Sequence, residues 1–182
     1  GSNNVAVGKL ALYTTTSSEN TAVGTEALRL NTSGDKNTSI GFESLYSNTT
    51  ASNNTAVGYQ AAKANTTGAE NVALGYQSLL NNTTGSNNIA LGYISLYANT
   101  TANDNTALGY STLRFNTTGA SNVAVGRDAL RANTTASNNT ALGYQSGYSN
   151  TTGTRNIALG NVSLYTNTTG EHNIALGYAT LY

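Results

Sequence analysis

Glu26 and Glu43 stand 17 residues apart in a chain that repeats with that same period, so two carboxylates fall on adjacent turns of whatever the repeat builds. Carboxylates about 5 Å apart can do acid–base work on glycosides. Little else gathers around them, and Arg29 follows Glu26 closely enough to neutralise it, so an ion-paired wet surface explains the pair more simply. His172 is the only histidine, which leaves no His-based metal site within one chain short of three rings meeting on an oligomer axis. It occupies a loop position held elsewhere by Lys36, Glu70, Asp104 and Arg155, where solvent is the expected neighbour. Arg114 and Arg131 are also one repeat apart; a sugar acid or phosphate bridging them competes with screened surface arginines, the simpler reading. One histidine gives Ser–His nucleophile chemistry little support. The glycines keep a structural period and never form a phosphate-cradling loop between strand and helix. No catalytic, cofactor-binding or metal-ligating residue is therefore assigned, no cofactor is implied, and enzyme activity is not expected.

Three further columns carry recognition chemistry instead. Asn31, Asn48, Asn65, Asn82, Asn99, Asn116, Asn133, Asn150 and Asn167 each begin Asn-Thr-Thr or Asn-Thr-Ser, an N-glycosylation sequon at every turn, although turn chemistry alone accounts for both residue types. Tyr59, Tyr76, Tyr93, Tyr110, Tyr144 and Tyr178 each follow a marker glycine and suit either stacking on sugars or burial between chains. Paired threonines raise an ice- or crystal-surface reading, but adjacent residues of a strand face opposite ways, whereas a flat Thr-X-Thr surface needs every second residue.

These columns exist because the chain is one tandem array. Asn, then Val, Thr or Ile, then a small residue, then an aliphatic precedes Gly8, Gly24, Gly41, Gly58, Gly75, Gly92, Gly109, Gly126, Gly143, Gly160 and Gly177. The first spacing is 16 and every later one 17, with the deletion inside residues 14–19. Asn stands four residues before each of these glycines, at Asn4, Asn20, Asn37, Asn54, Asn71, Asn88, Asn105, Asn122, Asn139, Asn156 and Asn173, as a stacked amide ladder requires. Leu stands four residues after, except at Ala62 and Gly147. Charged residues are only 9% of the chain and sum to zero, so no field draws it to nucleic acid or an anionic membrane. No apolar run reaches the roughly 20 residues that span a bilayer. Cysteine is absent, which excludes disulfides and thiolate sites. The sequence opens inside a repeat without Met, as expected of a segment of a longer fibrous protein.

Seventeen residues are too few for the two helices of an α-solenoid unit. Asn-X-Ala-Leu-Gly fits a short strand, the glycine a corner with positive φ, and Asn-Thr-Thr-Gly a turn. The expected fold is an all-β solenoid, a parallel β-roll of about eleven coils over residues 1–182 as a single array. Each coil is expected to have two short strands and two corners, with the residue before the glycine and the leucine four after it pointing inward. Alternation fails after the glycine, because Glu26, Glu43, Gln60 and Gln77 share the parity of those leucines. Two or three buried aliphatics per coil make a thin core, so burial of the Ala and Tyr columns against copies of the chain is expected.

Asn-Val-Ala-Val-Gly at residues 4–8 and Asn-Ile-Ala-Leu-Gly at 88–92 and 156–160 resemble the head repeats of trimeric autotransporter adhesins. Asn-Thr-Ala-Val-Gly-Tyr at 54–59 is similar to arrays in bacteriophage and viral tail fibres. The resemblance implies a homotrimer of parallel β-rolls, each coil burying aliphatics within one chain and small residues between chains. Adhesin head repeats are nearer 14 residues, so the coil section here differs. The functional expectation is a non-enzymatic structural or adhesive fibre segment, stalk or head, at an extracellular, cell or virion surface. Its partners would be itself and a host-surface or glycan receptor, with no nucleic acid and no membrane insertion. The alternatives are a module binding glycan, ice or cell wall through its Tyr or Thr columns, and a self-assembling matrix filament propagated from uncapped ends.

Overall fold

The structure, a computed structural model, describes residues 1–182 and is all-β, a solenoid of eleven stacked coils. Each coil contributes one three-residue strand, β1 (Val5–Val7), β2 (Thr21–Val23), β3 (Thr38–Ile40), β4 (Thr55–Val57), β5 (Val72–Leu74), β6 (Ile89–Leu91), β7 (Thr106–Leu108), β8 (Val123–Val125), β9 (Thr140–Leu142), β10 (Ile157–Leu159) and β11 (Ile174–Leu176). They form a single parallel sheet in sequence order, each residue paired with its equivalent one repeat on, as Val72 with Ile89 and Leu74 with Leu91. At about 4.8 Å per step the sheet is a ribbon about 50 Å long.

One strand per coil replaces the expected two. The segment after the glycine holds positive φ at two of four successive residues: Ile94 (48°) and Leu96 (48°) in one coil, Ser111 (54°) and Leu113 (50°) in the next. This bend is why alternation fails there. Gln60 and Gln77 turn outward, while Ser95 and Leu96, adjacent in sequence, both point into the core with no exposure. A third non-glycine left-handed residue lies five before each marker glycine, as at Asn87 (59°) and Asp104 (60°). Left-handed leucine costs about 1–2 kcal/mol. The inter-coil ladder offsets it: Leu96 N–H donates to Thr112 O at 3.0 Å, and Ile94 N–H to Tyr76 O at 2.9 Å.

The marker glycines were expected at a positive-φ corner, and they have φ of 115–137°. Stacking restricts them further: a Cβ on Gly92 would stand 2.4 Å from Gly109 O, and a like clash recurs from Gly8 to Gly160.

Inside, each coil packs the strand's central Ala, the leucine, a small residue before the leucine and two asparagines. Ala90, Leu96, Asn88 and Asn99 all have zero exposure. The leucine column is interior as expected. The residue before the glycine is not: Leu74, Leu108 and Leu142 are 37%, 43% and 40% exposed. Successive side chains of a strand face opposite ways, and here the central one faces inward, so its two neighbours face out. Within the strand, the side chains turned inward are the small ones. Alanines fill the coil beside the leucines, and the strand's own aliphatics lie on its outer face.

Candidate functional site

Two asparagine ladders run the length of the rod, one of them unforeseen. In the first, the Oδ1 of each Asn accepts the backbone N–H of the Asn one coil on, from Asn20 N to Asn4 Oδ1 at 2.8 Å through Asn173 N to Asn156 Oδ1 at 2.9 Å. The second ladder is the sequon column. Asn82 Nδ2 donates to Asn65 Oδ1 and to Gly85 O, both at 2.8 Å, and Asn99, Asn116 and Asn133 repeat the arrangement. Asn31, Asn48, Asn65, Asn82, Asn99, Asn116 and Asn133 have no exposure, Asn150 has 1%, and Asn167 is half-buried. Both Nδ2 hydrogens are used inside the coil, so a glycan on this nitrogen has neither a free position nor a path to solvent in the folded chain. The signal that distinguishes the readings is in the sequence: Gly or Ala stands three residues after each of these asparagines and supplies the carbonyl. The 16-residue first repeat lacks this Asn, and Thr15 and Ser17 hydroxyls accept from Asn31 Nδ2 in its place.

The first threonine of each pair also joins a ladder, as Thr66 Oγ1 donates to Thr83 O at 2.8 Å. The second is exposed, giving one threonine column (Thr50, Thr67, Thr84, Thr101) rather than a flat two-rank Thr-X-Thr surface.

Phe42, Tyr59, Tyr76, Tyr93 and Tyr110 stack as a continuous ladder, centroids 5.1–5.4 Å apart and planes within 11°. Tyr144 and Tyr178 stand outside it, because Arg127 and Asn161 take the intervening positions. A second ladder, Tyr148–Tyr165–Tyr182, lies five residues after the glycines. The rings in the first ladder are 42–47% exposed, but their faces cover one another. Edges and hydroxyls are what a partner meets, so the face-on sugar stacking considered from sequence has no open ring face within the ladder.

A charged stripe runs beside the first tyrosine ladder, its acids two residues after the glycines and its cations sharing the second tyrosine column five after. Glu26 pairs with Arg29 at 3.2 Å, and Glu43 with Lys63 at 2.7 Å. Gln60 Nε2 also donates to Glu43 Oε2 at 2.8 Å, and Gln77 to Gln60. The Lys63 hydrogen bond, with help from Gln60, holds the Glu43 carboxyl below the usual carboxylate range. Each member of the glutamate pair is therefore committed to a cation. His172 is exposed at a left-handed corner (φ 59°). No group of three or more His, Asp or Glu side chains is placed to hold a metal.

The outer face of the sheet is a further surface feature. It presents the residue before each glycine, aliphatic in every coil (as Leu91, Leu108, Val125 and Leu142), beside a mixed column three before, where Ile89, Val123 and Ile157 alternate with Thr106 and Thr140. No family model, no curated protein and no solved structure matches the chain.

Proposed function

We propose that this chain is a structural, adhesive fibre segment: a stiff rod that associates lengthwise with copies of itself through the outer face of its sheet, extending and displaying rather than catalysing. The observation that supports this most is the unbroken aliphatic column of the residues before the glycines, which runs along the outer face of β1–β11 for about 50 Å. Contiguous apolar surface on this scale marks an interaction site. A second copy matches it best, since only the same repeat supplies an aliphatic column in step at every coil. The net charge of zero adds no repulsion. The Phe42–Tyr110 ladder beside this face lends aromatic edges to the same contact. The closed assembly proposed is a parallel homotrimer, at an extracellular, cell or virion surface, with a receptor or glycan as a further partner.

Sedimentation decides the point. The chain should run as an oligomer at micromolar concentration. A Leu74→Lys/Leu108→Lys/Leu142→Lys variant, altered only at half-exposed positions, should keep its circular dichroism and fall to the 18.7 kDa monomer. A folded wild-type monomer at that concentration would refute the proposal.

A further inference from the structure

The charged stripe satisfies itself in every coil that carries an arginine there except one. Arg29 has an acid three residues before it, Glu26 at 3.2 Å, and a phenol one coil on, Tyr46 Oη at 3.0 Å. Arg131 likewise has Asp128 at 3.5 Å and Tyr148 Oη at 2.7 Å. Arg114 has neither. Three residues before it stands Ser111, and one coil on stands Arg131 itself. Consequently Arg114 Nε and Ser111 Oγ are buried without a hydrogen-bond partner, the only two such side-chain atoms in the chain.

Serine is shorter than the Glu or Gln that fills this position at Glu43, Gln60 and Gln77, and an open cavity of about 250 Å³ lies beside it. Tyr110, Ser111, Arg114, Arg127, Asp128, Arg131 and Tyr148 line it. Three guanidiniums against one carboxylate leave the lining cationic, and Asp128 is already engaged by Arg127 at 3.3 Å and by Arg131. The guanidiniums are held in place. Arg114 and Arg131 lie 5.0 and 5.1 Å from the Phe115 ring, and Arg127 lies 5.2 Å from that of Tyr110.

The structure assigns this cavity as a binding site for a carboxylate anion, either free or borne by an acidic sugar. Arg114 Nε and the Ser111 hydroxyl donate to it where the Glu26 coil places its own glutamate. The carboxylate completes the pairing that Glu26 gives Arg29, and it relieves the like charges of Arg114 and Arg131 on adjacent coils. A volume below the roughly 300–1,000 Å³ of sites that enclose whole drug-sized ligands suits one charged group, its carrier lying outside. The site does not depend on self-association.

Calorimetric titration of the full chain at low salt with acetate, glucuronate and glucose tests the assignment. Acetate and glucuronate should bind and glucose should not. Arg114→Gln should weaken binding about tenfold or more, as loss of a charged hydrogen bond implies. Ser111→Glu, which installs the internal carboxylate found in the Glu26 coil, should abolish binding and raise the thermal midpoint. Equal affinities for the two acids identify a site for the free carboxylate. Glucuronate binding at least about tenfold tighter identifies a site for the acidic sugar. The assignment is overturned if neither acid binds, if glucose binds equally, or if binding survives unchanged in a folded Arg114→Gln or Ser111→Glu variant.

Discussion

Replacing Asn88 by alanine tests whether the interior amide ladder holds the coils together. Asn88 has no exposure, and its Oδ1 is the acceptor for Asn105 N–H at 3.0 Å. Its Nδ2 donates to Ala102 O at 2.8 Å, and Ala102 O keeps a second donor in Asn99 Nδ2 at 3.1 Å. Alanine thus orphans one buried N–H, at about 1–3 kcal/mol, and removes one of two bonds to a carbonyl, at about 1 kcal/mol. The expected loss is about 2–4 kcal/mol. Asn88→Asp sharpens the test. Its first oxygen still accepts from Asn105, but the second sits where Nδ2 stood, 2.8 Å from Ala102 O and 3.1 Å from Asn71 Oδ1. Only the protonated acid can donate there, so burial and these oxygens raise its folded pKa above the usual value near 3.9. A raised carboxyl destabilises the fold as pH climbs past the unfolded value. The Asp variant should therefore approach wild type near pH 3.5 and fall away toward pH 7.5. Urea melts followed by circular dichroism at one chain concentration, each variant compared with wild type at the same pH, give both numbers. An Asn88→Ala loss under about 0.5 kcal/mol, the range of an ordinary surface change, would refute the ladder's role. A pH-independent Asp deficit would refute the donor argument.

Gly92→Ala and Gly177→Ala separate stacking from backbone strain. A Cβ on Gly92 meets Gly109 O at 2.4 Å, whereas on Gly177, in the last coil of this chain, the nearest atom is Thr180 Cγ2 at 3.4 Å. Thermal melts should show about 1–3 kcal/mol of strain for Gly177→Ala and loss of the cooperative transition for Gly92→Ala; equal effects would mean φ alone sets the column. Glu43, lowered by its Lys63 hydrogen bond, contributes stability that is complete above the unfolded value near 4.3 and is lost as pH falls through its lower folded value. Urea midpoints between pH 3 and 7 should show a shallower acid-side slope in Glu43→Gln than in wild type.

The repeat by itself determined the coil count, the single array and the parallel in-register stack. Identical residues recurring at Asn88, Leu96 and Asn99 can only superpose if each coil lies on the last. The leucine interior and the positive φ at the marker glycines followed from residue type, since leucine avoids water and only glycine accepts φ near 131° without strain. What faced inward in the strand was not legible. Ala and Leu are both apolar, and a pattern of Asn-Ile-Ala-Leu-Gly fits either orientation. The choice is steric. A coil that must also hold Leu96 and two asparagines has room beside them for Ala90 and not for Leu91.

The glutamate and tyrosine columns were visible as columns, and Arg29 was visible beside Glu26, but Lys63 as the partner of Glu43 was not. Whether Glu26 met Arg29 or solvent depended on the left-handed residues at positions such as Glu26 and Leu28, where no glycine announces a bend. The same holds for the sequon column. Asn-Thr-Thr reads as turn or glycan acceptor until the chain closes and directs each amide at the carbonyl three residues on. Sequence decided which residues stack on which, because that requires only a period. The closed coil decided which of them face the core, their neighbours or solvent, because that depends on cross-section, and a cross-section exists only once the chain has turned through a full circuit.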